Sequence, residues 1–148
     1  AVGSKAPDFV LIGQDLSASS LADFAGRKVI LNIVPSLDTD VCAASARVFN
    51  EKASAMDGVS VLVISADLPF AMSRFCSTEG LQDIVTLSMM RSRAFAKDYG
   101  VLLQDGPLAG ITARAIVVLD ESGTVTYTEL VPEITQEPDY DAALSAVA

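Results

Sequence analysis

Two apolar runs separated by an amphipathic stretch constrain the fold of this chain more than any other feature. Residues 28–35 and 59–66 are short and rich in β-branched residues, as strands buried on both faces are. Between them, apolar residues recur near helical spacing at Val41, Ala44, Val48, Phe49, Ala53 and Met56. The pattern predicts a strand, a helix and a second strand. Because such a connection within one sheet is nearly always right-handed, we expect parallel strands with the helix packed on one face.

The rest of the chain predicts three further helices and three further strands. The helices are expected at residues 69–80, 92–99 and 139–148, and the strands at residues 85–88, 115–119 and 125–130. Asp139 is well placed to cap the last helix. This order of elements is typical of a thioredoxin-like fold, an α/β architecture with a central mixed β-sheet flanked by helices. We expect residues 1–148 to form a single domain.

Composition excludes several classes of function. The 148 residues are 51% hydrophobic with a net charge of -9, and no Lys or Arg follows Arg114, which argues against nucleic acid as a partner. No run approaches the roughly 18 apolar residues of a membrane span. Two cysteines do not make a disulfide-dense secreted scaffold, so we expect a cytoplasmic protein with reactive thiols. The sequence lacks an intact signal peptide, although export followed by cleavage stays open.

Cys42 is the strongest candidate for a nucleophile. Pro35, Thr39 and Cys42 follow one another at spacings of four and three residues, between a predicted strand and a predicted helix. A helix N-terminus favours an anion, and the thiolate is the reactive form of cysteine. The Thr39 hydroxyl has three possible roles there: to cap the helix, to hydrogen-bond the sulfur, or to orient a peroxide oxygen. The alternative, in which Cys42 is a small apolar core residue and Thr39 only caps the helix, is less consistent with this spacing.

Cys76 and Arg114 complete the set of candidate residues. Cys76 is separated from Cys42 by a strand and most of a helix, and a disulfide needs Cα atoms about 4.4 to 6.8 Å apart, so a bond between them would require movement. Its alternative role is that of a buried helix residue.

Arg114 lies at the edge of an apolar strand. Its side chain either reaches water or pairs with a nearby anion, and the local sequence slightly favours a side chain that reaches water. The chain has no histidine, which excludes His-dependent nucleophilic mechanisms.

Motifs along nearly the whole chain, from Ala6 to Leu144, resemble those of the thiol peroxidases, which are atypical two-cysteine peroxiredoxins. The matching segments are Asn32-Ile33-Val34-Pro35-Ser36-Leu37-Asp38-Thr39 with Val41-Cys42, Asp67-Leu68-Pro69-Phe70, Arg74-Phe75-Cys76, Glu79-Gly80-Leu81, Asp98-Tyr99-Gly100-Val101, Gly106-Pro107-Leu108 and Ala113-Arg114-Ala115.

The resemblance implies a reductase of hydrogen peroxide or organic hydroperoxides. Cys42 would be the peroxidatic thiolate, and Cys76 the resolving cysteine of the same subunit, giving a disulfide that thioredoxin reduces. Thr39 and Arg114 would activate the thiolate and hold the peroxide, and Pro35 would shield the pocket. The resemblance further implies a homodimer that needs no metal, haem or flavin. A redox sensor or binding module with the same fold but without sustained turnover is the alternative.

Two features depart from the resemblance. Asp40 stands where the family usually has Pro, which adds an anion two residues before the thiolate. The family's N-terminal β-hairpin is expected to be missing, because the chain starts just before Lys5.

Overall fold

Short β-branched segments form the sheet at the centre of this protein. The structure is a computed structural model that describes residues 2–53, 56–81, 83–92, 94–104, 106–132 and 136–147. The strands are β1 (Val10–Ile12), β2 (Ala18–Ser20), β3 (Lys28–Ile33), β4 (Val59–Ser65), β5 (Ile84–Ser88), β6 (Ala115–Leu119) and β7 (Val125–Leu130). The helices are α1 (Asp40–Ala53), α2 (Pro69–Glu79), α3 (Ala94–Asp98) and α4 (Tyr140–Ser145), with a 3₁₀ turn at Leu21–Phe24.

The strands form one mixed sheet in the order β2-β1-β5-β4-β3-β6-β7. β3 pairs in parallel with β4 over six residues, and β4 pairs in parallel with β5. β6 runs antiparallel to β3 on its other side and forms a hairpin with β7. The predicted parallel strand pair, the hairpin and the α/β architecture with a mixed sheet are therefore confirmed.

Helices cover both faces of the sheet, and successive side chains of β3 belong to apolar clusters on opposite faces. Ile30 belongs to an apolar cluster beneath α1, α2 and α4, whereas Leu31 belongs to a second cluster on the face covered by α3 and the N-terminal segment. Successive strand residues point to opposite faces, so a strand in the middle of such a sheet needs apolar residues throughout. Cys42 and Cys76 both lie in the first cluster. The fold thus places both sulfurs on one side of the sheet.

Most predicted boundaries agree with the structure to within two residues. The helix predicted at residues 69–80 is α2, which ends at Glu79 and is capped by Gly80 in the left-handed conformation (φ 69°) that glycine adopts readily. Asp139 caps α4 by accepting a hydrogen bond from the Ala142 amide at 3.0 Å, as expected. β1 and β2 were not predicted. Within the described ranges, no helix is long and apolar enough to cross a membrane.

Candidate active site

The first turn of α1 holds Cys42. The helix begins at Asp40, and the Thr39 carbonyl accepts the Ala43 amide at 2.9 Å, which closes the first helical turn around the cysteine. The Cys42 side chain has no exposed surface. Its sulfur therefore lies near the positive end of the helix dipole while being shielded from water, two conditions that favour interactions with fixed protein charges.

Arg114 supplies such a charge directly. Its side chain is only 1% exposed, and its Nη1 donates a hydrogen bond to the Cys42 sulfur at 3.1 Å. The register of β6 against β3 explains this contact, because Ala115 pairs with Ile33 and places Arg114 beside the end of β3. The slight preference for an Arg114 side chain that reaches water is therefore wrong. Strand pairing brings the guanidinium inward onto the sulfur.

Thr39 and Pro35 lie on the connection between β3 and α1. The Thr39 hydroxyl donates to the Ser36 carbonyl at 2.9 Å, and the residue is exposed. Because its proton is used in this bond, its oxygen lone pairs remain able to accept. Pro35 is buried directly after Val34, whose carbonyl accepts the Thr112 hydroxyl at 2.9 Å. One hydrogen bond within the connection and one at the end of β3 thus fix its course.

A buried hydrogen-bond chain ties the first turn of α1 to the sheet. Asn32 Nδ2 donates to Ser45 Oγ at 3.3 Å, and Ser45 Oγ donates to the Cys42 carbonyl at 2.9 Å. Sequence reasoning did not assign Asn32 and Ser45 to the site. The polar Asn32 within an otherwise apolar strand was the signal that could have revealed this link, because buried polar groups need partners.

Tyr140 approaches the site from α4, and it was also not predicted. Its ring packs edge-on against Phe49 with centroids 5.4 Å apart. Burial raises the pKa of Tyr140 well above its ordinary value, and its hydrogen bond to Glu137 raises that pKa further, while the positive charge of Arg114 acts in the opposite direction. The phenol is therefore a neutral neighbour of the sulfur and the guanidinium.

Cys76 is enclosed in the last turns of α2. Its side chain is 7% exposed, and Cys76 and Cys42 do not form a disulfide. Burial raises the pKa of the Cys76 thiol, and side-chain hydrogen bonds with Gln14 and Thr86 partly offset this effect. Gln14 in turn donates to the Thr86 hydroxyl at 2.8 Å. Neither Gln14 nor Thr86 could be connected with Cys76 from the sequence, because the three residues come from separate segments.

The geometry brings Cys42 and Arg114 into direct contact and places Thr39 and Pro35 on the adjoining connection. Cys76 lies in the same apolar cluster without a disulfide. Among the described residues, no group of three or more His, Cys, Asp or Glu side chains is arranged to hold a metal ion. The arrangement can stabilise a buried thiolate with a permanent cation, and such a thiolate is a nucleophile.

The chain is similar to known proteins along nearly its whole length. A model of the Redoxin family matches residues 1–144. The chain is 59% identical over 146 residues to the thiol peroxidase of Leptospira interrogans, which covers 97% of this chain and 85% of that protein. It is 55% identical over 147 residues to the thiol peroxidase of Mycobacterium bovis, which covers 99% and 88% respectively. The crystal structure of a peroxiredoxin-like protein from Aquifex aeolicus has a TM-score of 0.93 at 42% identity and covers 99% of this chain and 85% of that one.

Alkaline pH is expected to destabilise the reduced protein around Cys76. Burial raises the pKa of this thiol, so the folded state holds the proton more tightly than the unfolded state. The resulting stabilisation is complete below the ordinary cysteine pKa and is lost as pH rises through the raised value. Denaturant unfolding from neutral pH to about pH 10 should therefore show a steeper loss of unfolding free energy for the wild type than for Cys76→Ser. Equal slopes would contradict the effect of burial, since all other titrating groups are shared.

Neutralising Asp40 is expected to make the Cys42 sulfur react faster with an electrophile. Asp40 is the first residue of α1 and is exposed. Its carboxylate stabilises the N-terminus of the helix, but it also repels negative charge on the nearby Cys42 sulfur. We expect this repulsion to dominate, because it acts directly on the reacting sulfur. In a Cys76→Ser background, Asp40→Asn should raise the rate at which a small alkylating reagent modifies Cys42, most clearly at low salt.

The matched control for Asp40 is Asp57→Asn, which removes the same charge from an exposed turn before β4. An alkylation rate that falls in Asp40→Asn would show that helix stabilisation dominates. An unchanged rate would show that solvent screens the carboxylate from the sulfur.

Proposed function

The chain belongs to the thiol peroxidases of the redoxin family, and we propose that it reduces hydroperoxides with Cys42 as the nucleophile. The observation that carries this assignment of the nucleophile is the 3.1 Å contact between Arg114 Nη1 and the Cys42 sulfur. Both side chains are buried, and Cys42 lies in the first turn of α1. A guanidinium stays charged at any physiological pH, so it stabilises the thiolate without a histidine.

The first step is a displacement at oxygen. The Cys42 thiolate attacks the terminal peroxide oxygen, which carries the hydrogen; a sulfur–oxygen bond forms and the oxygen–oxygen bond breaks. The leaving oxygen takes a proton and departs as water or an alcohol, while Cys42 becomes a sulfenic acid. Negative charge moves from sulfur to the leaving oxygen during this step. Arg114 already contacts the sulfur and is therefore positioned to stabilise the charge as it moves.

Thr39 and Pro35 are proposed to shape the approach of the peroxide. Because the Thr39 hydroxyl gives its proton to the Ser36 carbonyl, its oxygen is free to accept a hydrogen bond from the peroxide O–H. Pro35 has no N–H and is buried beside the end of β3, so it closes the pocket without adding a polar group that would hold water. These roles agree with those implied by the family resemblance.

Cys76 is proposed to resolve the sulfenic acid. Its sulfur displaces the hydroxyl of Cys42–SOH, which leaves as water, and an intramolecular disulfide forms. A dithiol reductant of the thioredoxin class would then restore both thiols by disulfide exchange. Because Cys76 is enclosed by Gln14 and Thr86, resolution requires this part of α2 to open.

The partner assignments in this proposal rest on the family resemblance. We propose thioredoxin as the reductant, a homodimer as the assembly, and either hydrogen peroxide or an organic hydroperoxide as the substrate. A cytoplasmic location belongs to the same proposal, because a disulfide that thioredoxin reduces repeatedly needs a reducing compartment.

Replacing each cysteine separately tests the two roles. Cys42→Ser is expected to abolish peroxide reduction with the fold intact, because it removes the nucleophile. Cys76→Ser should consume about one equivalent of peroxide and then stall as sulfenic acid that overoxidises readily. Mass spectrometry and peroxide loss measure both outcomes. Residual turnover in Cys42→Ser would disprove the assignment, and a wild type that forms the disulfide without repeated turnover with thioredoxin would favour a sensor.

Removing either polar partner of the site should slow the reaction with peroxide. We expect Arg114→Ala and Thr39→Val to lose about 10²- to 10³-fold, by analogy with the deletion of donors that stabilise developing charge. Stopped-flow rate constants in the Cys76→Ser background measure this loss, with thermal unfolding as the check on folding. Arg114→Lys keeps the charge but changes the geometry, so it should retain more activity than Arg114→Ala. Unchanged rates in both Arg114→Ala and Thr39→Val would show that the peroxide binds elsewhere.

A further inference from the structure

Asp67 connects the two halves of the proposed site. It follows β4 and precedes α2, the helix that carries Cys76. Its Oδ1 accepts a hydrogen bond from Ser36 Oγ at 2.7 Å, and its Oδ2 accepts one from the Leu37 amide at 2.7 Å. Both donors lie on the connection between Pro35 and α1. One carboxylate thus joins the segment before Cys42 to the beginning of the other cysteine's helix.

The carboxylate is itself held in place. Ser65 Oγ donates to Asp67 Oδ2 at 3.0 Å and also accepts the Asp67 amide at 3.1 Å. The Asp67 carbonyl accepts a further hydrogen bond from the hydroxyl of Ser88 at the end of β5. The side chain therefore projects from an anchor on two strands of the sheet.

Contacts beyond Ser36 carry this restraint to Thr39. Ser36 Oγ accepts the Asp38 amide at 3.1 Å, and the Ser36 carbonyl accepts the Thr39 hydroxyl at 2.9 Å. Holding Ser36 therefore fixes both the course of the backbone and the direction of the Thr39 hydroxyl. Hydrogen bonds to a carboxylate are stronger than those to a neutral acceptor, so an aspartate is well suited to this task.

We propose that Asp67 is a positioning residue for the reaction of Cys42 with peroxide. Its carboxylate holds Ser36 and Leu37 so that Thr39 points toward the peroxide, and it keeps that connection joined to the start of α2. The inference rests on the proposed function of Cys42 and Thr39. Asn cannot replace Asp67 fully, because it has one acceptor oxygen where two are used, and its NH₂ group would face a donor.

The test compares two reactions of the same sulfur in a Cys76→Ser background. A small alkylating reagent needs the Cys42 thiolate but not an oriented Thr39, whereas peroxide needs both. Asp67→Asn is expected to lower the rate constant for hydrogen peroxide about 10- to 100-fold, as small misplacements of reacting groups do. Its alkylation rate at the same pH should change much less. Asp67→Glu keeps both acceptor oxygens and should recover part of the peroxide rate.

A double-mutant cycle with Thr39→Val locates the effect. If Asp67 acts through Thr39, the loss caused by Asp67→Asn should be much smaller when the Thr39 hydroxyl is already absent. Ser36→Ala removes the contact from the opposite side and should reproduce the selective loss without changing charge. Asp57→Asn is the control, because this exposed residue precedes β4 and carries the same charge.

Three results would overturn the role of Asp67. These are a peroxide rate equal to that of the parent, a loss shared equally by peroxide and alkylation, and additive effects of the Asp67 and Thr39 substitutions. Should Asp67→Asn fail to fold, the same criteria apply to Ser36→Ala. Failure of the proposed function would look different, because the Asp67-containing parent itself would then show no reaction between Cys42 and peroxide.

Discussion

The contact between the Arg114 guanidinium and the Cys42 sulfur is the constraint around which this site is organised. A guanidinium does not lose its charge, and removing an ion from water costs several kcal/mol unless it is compensated. Arg114 is almost completely buried. An anionic sulfur beside it therefore offsets part of the desolvation cost of the guanidinium, which a neutral thiol does not. The fold must therefore hold two groups 72 residues apart in sequence within hydrogen-bond distance. The register of β6 against β3 and the start of α1 at Asp40 are the elements that accomplish this.

Permanent charges and fixed dipoles replace histidine in this chain. The guanidinium and the N-terminus of α1 have the same sign of charge throughout the physiological range, so no base near Cys42 has to be in the correct protonation state. Tyr140 stays neutral because its pKa is raised and adds no competing anion. Preorganised groups of this kind need little rearrangement when charge moves from sulfur to oxygen.

The features that could be predicted from the sequence are those whose signal lies within one short segment of the chain. β6 and β7 have the predicted boundaries, and β3 and β4 are close to theirs, because long β-branched or alternating runs carry a strong periodic signal. β1 and β2 have three residues each and gave no such signal. Cys42, Thr39 and Pro35 could be proposed as site residues from their spacing within one segment. The inward orientation of Arg114 and the role of Asp67 depend on which distant segments lie side by side, and a single sequence does not contain that information.

The attachments of the two cysteines differ, and this difference indicates which of them would move during the proposed resolution by Cys76. The Cys42 carbonyl is tied to the central strand through Ser45 and Asn32, so unwinding the first turn of α1 would break buried hydrogen bonds. Cys76 is three residues from the end of α2, and its carbonyl accepts bonds from the terminating residues Gly80 and Leu81. Helix ends fray more readily than anchored turns. Opening the last turn of α2 would release Cys76 from Gln14 and Thr86 while Arg114 and Asp67 keep the Cys42 pocket in place.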